Sequence, residues 1–340
     1  MIRAAAMAAL GAAMMAGAAA AEVRYSFIDW ADLDGWGADD HAAALAVFTG
    51  TCGDLDGPHW PAICEIARSD PPARDFFERF FLPLMAEDGA EPLFTGYFEP
   101  ELAGSLVRTQ TFRYPVYRPP PELTGGTWLT RGEIETSGAL AGRGLEIAWL
   151  ADPVDKFFLQ IQGSGRIRLP DGGRLRVGFG GKNGHPYRSV GNEMVRLGLL
   201  APHQVSAQMI RRWVAANPSQ GMALLHHNPS YVFFREVTRV PPHLGPLGAM
   251  NRPITAGRSV AVDPEFVPLG APVWLEKGGE EPIRRLMIAQ DTGSAVKGAQ
   301  RADIFFGTGD EAGEVAGRVR DGGRLVVLLP IEMALELAGG

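Results

Sequence analysis

Cysteine is almost missing: Cys52 and Cys64 are the only two in 340 residues. That excludes a disulfide framework and a cysteine-based zinc module. Gly53, Gly57, Pro58 and Pro61 lie between them, and in an exported chain the pair is expected to close one local disulfide. Positive charge is also short, with 32 Lys+Arg against 39 Asp+Glu and a net charge of −7. An acidic chain without a basic stripe excludes nucleic acid as a partner. Long apolar runs are absent after Met1–Ala21. That first run is alanine-rich, short for a membrane span and without a basic stop-transfer flank, so it reads as a cleaved export leader. Arg3 is its positive start and Ala19, Ala20 and Ala21 its small cleavage residues before Glu22. The mature chain then has no transmembrane segment.

Several chemistry-bearing patterns are incomplete. Asp-Thr-Gly occurs once, at Asp291, whereas an aspartic-protease dyad needs a second copy. Gly163-Ser164-Gly165 lacks the spacing of a nucleophile elbow, which leaves Ser164 as a turn or substrate contact. Gly307-x-Gly309-x-x-Ala312 has no repeated βαβ pattern around it and does not make a dinucleotide site. His226 and His227 have neither i,i+4 spacing nor cysteines nearby, so they make no zinc site. No metal and no organic cofactor is expected.

Glycine and proline are plentiful, at 43 and 26 residues. Set among short apolar runs, they indicate a β-rich chain, and its length favours two domains. Helical patterns open at Asp39-Asp40 over His41–Phe48 and recur in Phe76, Phe77, Phe80, Phe81 and Leu84. Leu93–Glu99 reads as a strand with Gly96 inside it, a mark of a bulge or of close approach by a ligand. Tyr97, by its pattern, is a half-buried strand tyrosine. Composition shifts at Val107, and residues 107–238 read as an insertion. Within it, Thr130–Glu133 caps a helix and Gly144–Leu150 is a strand. Asp152–Arg166 is expected to be another strand, with Gln160 and Gln162 on one face as sugar-hydroxyl partners or simply a solvated edge. Arg174–Phe179 alternates, and Gly180–Gly191 is a loop bearing Lys182, Asn183, His185 and Tyr187. Helices follow at Met209–Ala216 and Gly221–Leu225.

Asp263, Asp291 and Asp303 each sit at the end of an apolar strand, where burial can shift a carboxyl pKa. They lie in Val262-Asp263-Pro264…Pro268-Leu269-Gly270, Asp291-Thr292-Gly293-x-Ala295-x-Lys297-Gly298 and Asp303-Ile304-x-x-Gly307-x-Gly309. This pattern resembles the three-aspartate "3D" domain of the MltA family of lytic murein transglycosylases. Thr95-Gly96-Tyr97-Phe98, the run from Asp152 to Arg166, the loop Gly180–Gly191 and Asn228–Phe234 are similar to further family motifs. The resemblance runs from about Tyr25 to Leu337.

The resemblance implies a mainly β enzyme with a few helices. A double-psi β-barrel would come from residues 22–106 and 239–340, and a second small β-barrel from 107–238. The substrate would be a peptidoglycan glycan strand, cut between N-acetylmuramic acid and N-acetylglucosamine with a 1,6-anhydro ring left behind. Asp303 would be the single acid–base group and Asp291 its electrostatic or structural partner. Thr95, Gly96, Tyr97, Gln160, Gln162, Gly163, Ser164, Lys182, Asn183, Tyr187, Ser189, Asp263 and Lys297 would bind or position the glycan. Lys297 would oppose a raised Asp303 pKa if it stood close. The site of action would be the periplasm, in company with other cell-wall enzymes. Some family members are lipid-anchored to the outer membrane, but this leader has no cysteine to carry a lipid. A glycan-binding module without turnover, and a hydrolase using Asp291 and Asp303 as a pair, are the alternatives.

Overall fold

The computed structural model describes residues 23–241 and 243–339, so the leader expected over Met1–Ala21 lies outside the described residues. Strand β1 (Arg24–Phe27) is followed by helices α1 (His41–Thr51), α2 (Trp60–Arg68) and α3 (Ala73–Phe80) before β2 (Phe81–Glu87) returns antiparallel to β1. Asp40 starts α1 by accepting the Ala43 amide, which satisfies a backbone donor left open at the helix start. Phe48 on α1 meets the rings of Trp60, Phe76, Phe77 and Phe81, and this aromatic contact fixes the three helices together. Cys52, just past α1, is bonded to Cys64 in α2.

Next come β3 (Leu93–Glu99), β4 (Glu101–Ser105), β5 (Tyr114–Tyr117), α4 (Arg131–Thr136), β6 (Glu146–Leu150), α5 (Pro153–Gln162), β7 (Gly165–Arg168) and β8 (Arg174–Lys182). Three helices, α6 (Val190–Arg196), α7 (Ala207–Ala216) and α8 (Pro218–His226), lead to β9 (Val232–Glu236). The last third holds β10 (Ser259–Val262), β11 (Pro272–Lys277), β12 (Ile283–Asp291), β13 (Arg301–Thr308), α9 (Asp310–Ala316), β14 (Arg320–Asp321), β15 (Gly323–Pro330) and α10 (Ile331–Gly339).

These strands form two sheets. The larger has nine strands in the order β1-β2-β15-β11-β12-β10-β13-β3-β14, and the smaller has six in the order β5-β6-β4-β7-β8-β9. The smaller sheet already takes in β4, ahead of the composition change at Val107. Among the described residues no pairing closes either sheet on itself, so the expected closed barrels are seen here as two sheets, and helices are as prominent as strands. Strand β11 is buried along its whole length, with Trp274 set edge-on against Trp36 at 5.1 Å, and it anchors the main core. A separate small core of Val116, Ile147, Leu150, Leu159, Ile167, Val177 and Phe234 holds the second sheet.

The expectation of a strand over Asp152–Gln162 is overturned, because this segment is helix α5. Asp152 caps it by accepting the Val154 amide at 2.7 Å, Pro153 sits in the first turn, and Gly163 ends it with φ of 76°. Gln160 and Gln162, about 200° apart around a helix, leave on different sides. Gln160 is buried and donates to the Val232 carbonyl, while the Gln162 side-chain carbonyl accepts the Phe98 amide.

Candidate active site

Register brings distant residues into one row across the larger sheet. Asp291 on β12 aligns with Ala261 on β10, Ala261 with Asp303 on β13, Asp303 with Thr95 on β3, and Thr95 with Arg320 on β14. Aligned residues in neighbouring strands face the same side, and two strand spacings put the two aspartate Cα atoms roughly 10 Å apart. Ala261 is the residue of the row between them. Tyr97 and Phe305 form the adjacent row on the same face, with ring centroids 5.3 Å apart.

Asp303 is half-buried and accepts a 2.6 Å hydrogen bond from the Thr95 hydroxyl. That hydroxyl accepts in turn from Arg301 at 2.9 Å, so the guanidinium stands one group behind the carboxyl. Burial pushes the Asp303 carboxyl above its ordinary range, against the opposing pull of the Thr95 hydrogen bond and the Arg301 charge. Asp291 is more fully held: Tyr97 donates its hydroxyl at 2.8 Å, and the amides of Ala249 and Thr292 donate at 3.0 and 2.9 Å. Burial outweighs these donors, and the nearby Asp303 adds to it, raising Asp291 to about 6. The Tyr97 hydroxyl is itself pushed well up by burial and by Asp291.

Asp263 belongs to another arrangement. Burial would raise its carboxyl, but the Lys297 ammonium at 2.9 Å and the amides of Gly298 and Glu265 bring it below the ordinary value. Lys297 therefore pairs with Asp263 and pins the loop after β12, instead of facing Asp303.

Several other residues expected at the site have structural contacts. A Cβ on Gly96 would lie 2.7 Å from the Ala316 Cα, so this glycine admits the close approach of helix α9. Asn183 is fully buried; its amide donates to the carbonyls of Leu129 and Pro229 and its oxygen accepts the Tyr231 amide, which spends it on backbone. Ser189 caps α6 through the Asn192 amide. Ser164 is buried just after the Gly163 turn. Tyr187 is half-buried, and burial raises its hydroxyl. Lys182 ends β8 exposed. The structure thus brings Thr95, Tyr97, Asp291 and Asp303 together and sets Gln160, Asn183 and Ser189 apart from them as braces.

Two contributors escaped the sequence. Arg301 lies two residues before Asp303, on the same face of β13, and the period-two rule could have found it. The Ala249 amide left no signal, because a backbone donor has no side chain to read. Among the described residues no group of three or more His, Cys, Asp or Glu side chains converges as a metal centre would require.

Fold and row together define a two-sheet protein with two carboxyls, Asp291 and Asp303, set in one row on the face of its larger sheet. Family models place it further: an MltA-specific insert domain matches residues 93–235, and a 3D domain matches 258–329. The chain belongs to the MltA family. It is 37% identical over 245 residues to membrane-bound lytic murein transglycosylase A of Escherichia coli K12, covering 69% of this chain and 65% of that protein. The Vibrio cholerae counterpart is 34% identical, over 68% of this chain and 64% of that protein. The matches thus span just under two thirds of those relatives' lengths. Among solved structures, the membrane-bound lytic murein transglycosylase of Agrobacterium tumefaciens superposes with a TM-score of 0.81 at 33% identity, covering 92% of this chain and 99% of that one. E. coli MltA with bound chitohexaose gives 0.71 at 29% identity, covering 86% and 91%.

Proposed function

We propose that this protein is a lytic transglycosylase of peptidoglycan, with Asp303 as its single acid–base group. The observation that carries this reading is the state of Asp303: burial raises its carboxyl, and the donor it accepts from is a hydroxyl that keeps Arg301 back. A carboxyl kept protonated can deliver its proton to the glycosidic oxygen as the bond to the muramoyl C1 breaks. The resulting carboxylate then takes the proton of the muramoyl O6 hydroxyl as O6 bonds to C1. The acid is restored, no water is consumed, and a 1,6-anhydro ring is the product. Asp291, charged above about pH 6, would stabilise positive charge developing at C1. Asp263 is unsuited to the acid role because Lys297 holds it ionised.

In this reading residues 22–106 and 239–340 form the catalytic unit and 107–238 the inserted substrate-binding unit. The parallel pairings β10–β12 and β3–β13 support a double-psi arrangement for the first. Thr95 and Tyr97 meet the glycan from the row, and Gln162 and exposed Lys182 meet it from the insert. E. coli MltA bound to chitohexaose supports a glycan ligand of this class. The export leader puts the protein in the periplasm, where other cell-wall enzymes would work beside it. No helix among the described residues is long and apolar enough to cross a membrane.

Two carboxyls on one face of the sheet would also serve a hydrolase that uses Asp291 and Asp303 as a pair, so the product decides. Mass spectrometry of digested sacculi should find muramoyl ends one water lighter than hydrolysis gives. Hydrated, reducing ends would make the protein a hydrolase. Binding without soluble product would make it a wall-binding module.

A further inference from the structure

A cavity of about 650 Å³ opens between the stretch from Arg235 to Pro241 and the loop from Leu247 to Pro253. Its acids are already spent: Asp54 is paired with Arg252, and Glu236 with Arg118. Two of its cations are not. Arg235 donates to neutral groups, the Phe179 carbonyl and the Asn251 side-chain oxygen, and exposed Arg239 makes no ion pair among the described residues. In a chain of net charge −7, this leaves two uncompensated guanidinium groups in one concave place. One loop connects the cavity with the acid row. It gives its Ala249 amide to Asp291, and Asn251, at a left-handed φ of 55°, is the residue Arg235 holds.

Neutral sugar hydroxyls do not account for such a pair, whereas a carboxylate does, because guanidinium groups bind carboxylates through paired, charge-assisted hydrogen bonds. In peptidoglycan the carboxylates sit on the peptide stem, attached to the same muramoyl residue whose C1 bond is cut. We propose that this cavity receives a carboxylate of that stem, with Arg239 and Arg235 as its cations, so that the protein selects peptide-bearing over bare glycan. This rests on the proposed glycan-cleaving function.

The test uses the full chain carrying Asp303→Asn to prevent turnover. Calorimetric titration compares three probes: a disaccharide-tetrapeptide, chitotetraose and the free stem peptide. The disaccharide-tetrapeptide should bind more tightly than chitotetraose. Arg239→Gln should reduce that ratio roughly tenfold, the worth of one charge-assisted hydrogen bond at an exposed site, and Arg239→Glu should abolish or reverse it. Equal affinity for the two glycans, or a ratio that neither Arg239 variant moves, would overturn the stem site while leaving glycan binding intact. Arg239-dependent binding of free peptide with no binding of chitotetraose would keep the anion site and overturn the glycan reading. No binding of any probe would overturn both.

Discussion

Glu135 and Asp303 are both withdrawn from water, yet their carboxyls shift in opposite directions. Burial would raise Glu135, but Lys156 at 2.6 Å, His226 at 2.9 Å and Arg131 at 3.5 Å hold it down at about 2. Asp303 is also buried, but it has only the Thr95 hydroxyl as a side-chain hydrogen-bond partner, and it rises. Arg131 is fixed as well, donating to the carbonyls of Asn228 and Ser230 and lying over the Phe157 and Tyr231 rings. Depth of burial therefore does not separate a structural carboxylate from a reactive one; the charge of its partners does. Glu99 extends the pattern. Buried between Arg166 and Arg176, it joins the end of β3 to the second sheet as an ionic fastener.

The largest test of this contrast is Asp303→Asn. It keeps the side-chain shape and a Thr95 acceptor but removes the proton, so turnover of sacculi should fall roughly 10²–10⁴-fold with glycan binding retained. A raised carboxyl pKa contributes stability that is full below the ordinary value of 3.8 and lost as pH rises through the folded value. The variant should therefore melt higher than the parent at pH 7, with the gain vanishing below that ordinary value, as calorimetry across pH would report. A variant that lost activity and also melted lower at pH 7 would place Asp303 with Glu135 as a structural acid.

Glu135→Gln tests the other side. It leaves buried cations without their anion, and denaturant titration should show a loss of about 3–5 kcal/mol, with activity per folded molecule unchanged. Glu135's stabilising share is full above its ordinary 4.5 and disappears as pH falls through about 2. The variant should accordingly lose less stability than the parent across that window. The smallest effect belongs to Tyr97→Phe. Without the hydroxyl donor the Asp291 pKa should rise above about 6, moving the acidic limb of the kcat/KM profile upward by roughly half to one unit. An unmoved limb would show that Asp291 is not the group titrating there.

Part of this was legible in the chain. Strand-end positions marked Asp263, Asp291 and Asp303, and the Thr95-Gly96-Tyr97 run supplied two of the row's hydrogen-bond donors. What could not be read was which aspartate Lys297 pairs with, since that depends on how the loop after β12 folds back on β10. The error at Asp152–Gln162 came from Phe157 to Gln162, where apolar and polar residues alternate as in a strand. The decisive signals were at the ends, in Asp152-Pro153 and Gly163, which cap a helix. Asn183 was misread for a different reason: a side-chain amide that binds sugar and one that braces carbonyls look alike until the carbonyls are placed.

The row is assembled from chain segments made far apart in time. Thr95 is synthesised 208 residues before Asp303, and Tyr97 194 residues before Asp291. Strand β15, near the C-terminus, lies between β2 and β11, so the early strands have no completed sheet to join until the end of the chain arrives. Pairings of such long range form late and slowly. A nascent or truncated chain ending before residue 303 holds Thr95 and Tyr97 but lacks Asp303. On the proposed function, an unfinished copy is harmless to the wall around it, and cutting ability arrives only with the last quarter of the polypeptide.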